Sequence, residues 1–205
     1  LKLRFNLEEI PLFKPRYNIA PTQQAPVIVN LDGVNRVELF QWGLVPLWAK
    51  DISIGNRMIN ARAETLAEKS TFKRLLNNRR CLVLADGFYE WRKEGKGKLP
   101  MLFKLSSGEP FALAGLWDTW KKPDGQTLRT YTIVTTEPNE MLGPVHNRMP
   151  VMLSDQDALE WLSGGEIGHA LSLLRPFPAG LMDGHDVSRL VNSPLFDSPE
   201  CVAAL

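Results

Sequence analysis

The chain has 205 residues, 44% hydrophobic and 23% charged, with 24 Lys and Arg against 23 Asp and Glu. These proportions suit one folded domain and exclude a disordered, collagen-like or low-complexity chain. A formal net charge of +1 argues against a nucleic-acid binder held by bulk charge alone.

No apolar run approaches the ~18 residues of a membrane crossing. Two cysteines, Cys81 and Cys201, make no disulfide framework, so a reducing compartment such as the cytoplasm is expected. The charge is unevenly spread: residues 150–205 sum to −6 and residues 1–149 to +7. Between Arg57 and Arg80, seven bases (Arg57, Arg62, Lys69, Lys73, Arg74, Arg79, Arg80) meet two acids, Glu64 and Glu68. That run is the footprint of a phosphate-contacting face, or else a solvated helix face.

In chain order, the sequence opens at Leu1 with no Met and no apolar signal core, so an amino-terminal segment is expected ahead of it. Val27–Leu31 and Val37–Trp42 are strand candidates joined by the hairpin turn Asp32-Gly33. Thr71–Asn77, with Phe72, Leu75 and Leu76 between bases, has helical spacing. Cys81–Ala85 reads as a buried strand that Phe88–Arg92 continues after Asp86-Gly87. Glu94–Lys98 is a hairpin tip, followed by strands Met101–Leu105 and Phe111–Trp117. Asp124-Gly125 turns into a long strand, Leu128–Thr136, and Val151–Leu153 is a short one. Ser154 caps a helix that ends at Gly164-Gly165, and a third helix is expected from about Glu166 to Leu174. The acidic stretch 197–205 reads as a mobile end. The expected fold is one α+β domain over residues 1–205: a mixed, strongly bent, partly closed barrel-like sheet with a few peripheral helices.

Several residues could carry chemistry. Glu90 lies between Tyr89 and Trp91, where apolar rings raise a carboxyl pKa toward general acid–base use; the alternative is a solvent-facing Glu on a strand. His146, in a Pro-flanked loop beside Arg148, is either a proton-transfer group or a ring bonded to its own loop. Asn60 offers an amide that both donates and accepts, and Arg62, two residues on in an extended segment, points the same way. Together they make an orienting amide beside a phosphate anchor, or a turn Asn and a surface Arg. Trp42 and Trp48 bracket a Gly/Pro loop that could offer bases a stacking surface, unless both are core. His169 and His185 read as structural or exposed, and Cys81 as a small buried hydrophobe. Cys201 has no basic neighbour to activate it. The scattered His and Cys residues have no metal spacing, and no cofactor motif is present.

Five ordered segments resemble the SRAP (SOS-response-associated peptidase) family of abasic-site processing proteins. They are RYNIAPT at 16–22, QWGLVPLWAK at 41–50, INARAET at 59–65, RRCLVLADGFYEWRK at 79–93 and PVHNRMPVML at 144–153. The resemblance implies a DNA-damage protein that binds abasic sites in single-stranded DNA and crosslinks to them through an amino-terminal cysteine as a thiazolidine. It further implies removal of the initiator Met by the same site, and lyase activity. No cofactor, no metal, a monomer and a cytoplasmic or nucleoid-associated location are expected beside it. By this resemblance Asn60 holds the amino-terminal residue, Glu90 is the acid/base and His146 assists proton transfer. Arg62 and Arg148 grip phosphates, while Trp48 and Pro46 stack on or wedge against bases. The family's Met-Cys-Gly-Arg start is absent from these 205 residues. Two other readings stand beside this one: a non-covalent single-stranded nucleic-acid binding module, and a peptidase or amidohydrolase acting in trans.

Overall fold

A computed structural model describes residues 1–205. In chain order its strands are β1 (Gln24–Leu31), β2 (Val34–Trp42), β3 (Asn60–Arg62), β4 (Arg80–Ala85), β5 (Phe88–Glu94) and β6 (Gly97–Leu105). β7 (Phe111–Lys121), β8 (Thr127–Thr136), β9 (Met149–Pro150), β10 (Met152–Leu153) and β11 (Met182–Asp186) follow. The helices are α1 (Ser70–Asn78), α2 (Asp155–Leu162) and α3 (Ile167–Ser172), with short 3-10 turns between elements.

The large sheet runs β10-β7-β4-β1-β2-β8-β3, and an additional pairing joins β7 to β8, the strands next to its two ends. The circuit β7-β4-β1-β2-β8 is therefore a five-stranded barrel, closed on one side by the short parallel contact of Gln41 and Trp42 with Thr130 and Tyr131. Alternation along each strand divides its side chains between two cores. Val27, Phe40, Val83, Trp117 and Tyr131 share one cluster. Ile28, Leu82, Ala114 and Val134 share the other with Phe72, Trp161 and Ala170 of the three helices. Since the helices lie outside, the first set fills the barrel. The interior is tight: a Cβ on Gly115 would meet the Cys81 Sγ at 2.8 Å.

The expected architecture, a partly closed α+β barrel with few helices, is what forms. Two details differ. Phe88–Arg92 does not continue β4. At Asp86-Gly87 the chain leaves the barrel, and β5 joins a separate three-stranded sheet, β11-β6-β5. The crossing is close, because a Cβ on Gly87 would sit 2.8 Å from the Leu102 side chain and 3.2 Å from the Phe103 carbonyl oxygen.

The carboxy-terminal stretch is not a loose end. Asp197 accepts from the Tyr17 amide at 2.5 Å and the Asn18 amide at 2.9 Å, and pairs with Arg16. Asn18, itself buried, donates to the carbonyls of Val191, Ser193 and Phe196 at 3.0–3.2 Å. Cys201 is buried against Leu102, Val187 and Val191. Apolar burial and buried amide bonds order a segment whose composition reads as a solvated tail.

The basic run from Arg57 to Arg80 is also partly internal. Arg80 is 5% exposed and donates to the carbonyls of Leu76, Trp161 and Gly165, tying together the ends of α1 and α2. Arg79 lies 4.2 Å over the Trp117 ring, and Arg74 pairs with buried Asp118. Arg57, Arg62, Lys69, Lys73 and Arg74 remain exposed.

Candidate functional site

A cleft of about 1160 Å³ lies between the barrel and the small sheet. Asn60, Glu90, His146, Arg148 and Trp42 line it, whereas Arg62, Pro46 and Trp48 lie outside it.

Each of these residues is positioned by local structure. β3 is a three-residue strand whose pairing with β8 is parallel, Asn60 opposite Ile133 and Arg62 opposite Thr135. Ala61 faces the core, so Asn60 and Arg62 both point outward, as their spacing requires. Trp42 ends β2, half-buried, and its indole N–H donates to the Ile59 carbonyl at 2.9 Å beside Asn60.

Glu90 sits on β5. Its flanking rings turn to the opposite face of the strand and pack on the carboxy-terminal segment. The Tyr89 hydroxyl donates to the Tyr17 carbonyl at 2.6 Å, and Trp91 Nε1 to Asn192 at 2.7 Å. Burial still pushes the Glu90 carboxyl above its ordinary value, against the opposing pull of His146 and Lys98. The raised carboxyl expected there is present, although Tyr89 and Trp91 pack on the carboxy-terminal cluster.

His146 follows a turn organised by Asn139, whose Oδ1 accepts from the amides of Met141 and Leu142. The backbone N–H groups of Val145 and His146 both donate to the Leu142 carbonyl at 2.8 Å. The His146 Nδ1 is 3.0 Å from the Arg148 carbonyl oxygen and 3.6 Å from Glu90 Oε1. A carbonyl only accepts, so Nδ1 carries the proton and Nε2 is left as the basic nitrogen of the neutral ring. The gap to Glu90 exceeds hydrogen-bond length, yet a small movement closes it.

Arg148 is already engaged. Its fork grips Glu64 at 2.7 and 2.9 Å, and it donates to the Thr135 carbonyl at 2.6 Å. Glu64 was legible in the sequence only as one acid among many bases; it lies on the 3-10 turn that directly follows β3.

Outside the cleft, the loop after β2 is pinned by its backbone. Val45 N–H donates to Thr130 Oγ1 at 2.8 Å, Leu47 N–H to buried Asp118 at 2.9 Å, and Trp120 Nε1 to the Ala49 carbonyl at 2.7 Å. Gly43, at φ +114°, lies so close to Gly55 that a Cβ would meet its carbonyl oxygen at 2.8 Å. Pinned on both sides, Pro46 is buried and offers no edge to a base. The exposed apolar surface of that loop is Leu47 and Trp48, each 61% accessible.

Cys81 and Cys201 are both fully buried, and burial pushes the Cys81 thiol far up. Neither presents a thiolate to the cleft. No three His, Cys, Asp or Glu side chains come together to hold a metal ion, and no helix is long and apolar enough to cross a membrane.

The family model described as SOS response associated peptidase (SRAP) matches residues 2–194. Abasic site processing protein YoqW of Bacillus subtilis (strain 168) is 47% identical over 193 residues, covering 93% of this chain and 86% of that protein. Abasic site processing protein HMCES of Gallus gallus is 35% identical over 227 residues, covering 94% of this chain and 67% of that protein. Among solved structures, a Bacteroides thetaiotaomicron protein superposes with a TM-score of 0.82 at 30% identity, over 90% of this chain and 82% of that one. With the motif order, the barrel and these relatives in agreement, the chain belongs to the SOS response associated peptidase (SRAP) family.

Proposed function

We propose that this protein processes abasic sites in single-stranded DNA, with the opened sugar held in the cleft among Asn60, Glu90 and His146. The observation that carries the reading is the pairing, across one cleft, of a carboxyl raised by burial with an imidazole whose Nδ1 lies 3.6 Å from it. Such a pair can give and take protons near neutral pH. The names of the relatives support the substrate.

The chemistry is that of an aldehyde meeting a residue with two nucleophiles. The α-amine of an amino-terminal cysteine adds to C1′ of the opened sugar, and loss of water gives an imine. The thiol then adds across the C=N bond: sulfur bonds to carbon, and the nitrogen takes a proton. The product is a thiazolidine crosslink. Glu90 supplies and receives the protons of the dehydration, His146 assists at the sugar, and Asn60 orients the amine. Removal of an initiator Met ahead of that cysteine uses the same acid/base pair. Arg62, exposed and beside the cleft, grips a flanking phosphate, and Trp48 with Leu47 stacks on a neighbouring base. Buried Cys81 and Cys201 do not fit the nucleophile's role.

The test is a denaturing gel with an abasic single-stranded oligonucleotide. The 205-residue chain is compared with a version carrying Met-Cys-Gly-Arg ahead of it. The extended form is expected to shift covalently and the shorter form to bind without shifting. A covalent band from the shorter form would overturn the assignment of the nucleophile. The exposed Leu47–Trp48 surface also favours a simpler reading, a non-covalent single-strand binder. That reading predicts salt-sensitive binding that ignores the lesion and no shift from either form.

A further inference from the structure

Glu64 lies on the 3-10 turn Ala63–Thr65, directly after β3. It sits at the surface with half its side chain in solvent, while Arg148 is only 20% accessible. An exposed ion pair ordinarily contributes little. This one is a two-pronged carboxylate–guanidinium fork, and bonds from Arg148 hold the Glu64 carboxyl below its ordinary value. The guanidinium makes a third bond to the Thr135 carbonyl, on the β8 residue paired with Arg62. Both anchors of Arg148 therefore ride on the strand pair that presents Asn60.

The other end of Arg148 is its backbone carbonyl, which accepts the His146 Nδ1–H. Only Asn147 separates the two residues. Fixing the Arg148 side chain fixes that carbonyl, and the carbonyl selects the ring nitrogen that holds the proton. The ring is otherwise nearly half exposed, and the only charged side chain within ion-pair distance of it is Glu90.

We propose that Glu64 is a positioning residue: by gripping Arg148 it holds the carbonyl that orients the His146 ring and selects its tautomer. This rests on the reading of His146 as a proton-handling group, although its first test uses no DNA. It also separates the two arginines. Arg62 is free for a phosphate, whereas a phosphate at Arg148 must compete with a carboxylate already in the fork.

The experiment is nitrogen-15 NMR of the His146 imidazole in the free 205-residue chain and in Glu64→Gln. The parent is expected to show a protonated Nδ1 in the neutral ring, and Glu64→Gln a mixture of both tautomers. Glu64→Asp, which keeps the carboxylate, should recover most of the parent signal. Arg148→Gln should give the same mixture as Glu64→Gln, from the other side of the fork. In the form that crosslinks, Glu64→Gln should slow the reaction by roughly ten- to a hundredfold and move the limb of its pH profile that reports the imidazole. An unchanged His146 tautomer in both Glu64→Gln and Arg148→Gln, each with a native circular dichroism spectrum, would overturn the proposal. So would tighter binding of intact single-stranded DNA by Glu64→Gln with His146 unaltered, which would make Glu64 a guard on a phosphate-gripping Arg148. Absence of any abasic-site processing by the unmutated extended protein would defeat the functional reading but leave the tautomer result standing.

Discussion

Arg16-Tyr17-Asn18 and the Asn60–Glu90–His146 set are both polar, both flank the cleft, and belong to segments of similar character. Their hydrogen bonding differs. Asn18 reaches three carbonyls, and the Tyr17 and Asn18 amides with Arg16 saturate one carboxylate. Asn60 is exposed, and Glu90 and His146 stand just beyond bonding distance. Polar groups satisfied inside the chain build the wall; those left open toward the cleft are the ones that can meet a substrate.

The contrast is open to mutation. Asn18→Ala should be the most damaging change, leaving three carbonyls short of a donor and costing about 3 kcal/mol, read as a fall in melting temperature. Asp197→Asn should weaken the same clasp in a pH-dependent way. Although burial pulls the Asp197 carboxyl up, bonds from the Tyr17 amide, Arg16 and the Asn18 amide carry it below its ordinary value. Its contribution is thus present above the unfolded carboxylate pKa of about 4 and lost as pH falls through the lower folded value. Parent and variant melting curves should differ at neutral pH and converge in acid. Tyr89→Phe removes one donor and should cost about 1 kcal/mol.

The cleft set should behave in the opposite sense. Glu90 has its folded pKa raised, so its stabilising contribution is full below the unfolded value of about 4.3 and lost as pH rises. Glu90→Gln should therefore melt higher than the parent at neutral pH, match it in acid, and lose crosslinking. Asn60→Ala should move stability by no more than about 0.5 kcal/mol while abolishing activity. A large loss of stability there would erase the distinction between the two regions.

Much of the barrel is legible in the sequence because its turns are punctuated: Asp32-Gly33, Glu94–Lys98 and Asp124-Gly125 fall between β-branched and apolar runs, and each becomes a hairpin. The cleft residues were legible by type and by motif. Three things were not. The fate of each base depends on partners far away in sequence, as with Arg80 and the Trp161 carbonyl. The pleat that turns Tyr89 and Trp91 away from Glu90 follows from which sheet β5 joins, and no local pattern reveals the switch at Gly87. The order of residues 191–201 depends on Asn18 and Asp197, nearly the whole chain apart.

The crossing at Gly87 has a mechanical meaning. Three residues beyond it, Glu90 travels with the small sheet, while Asn60 on β3 and His146, moored through Arg148 to β8, travel with the barrel. The acid and the imidazole are thus mounted on two separate plates that meet along one seam. The 3.6 Å gap between them is therefore set by how the two sheets pack together. A methyl group at Gly87, pressing on Leu102 and Phe103, would act as a shim in that joint and set the two groups out of register.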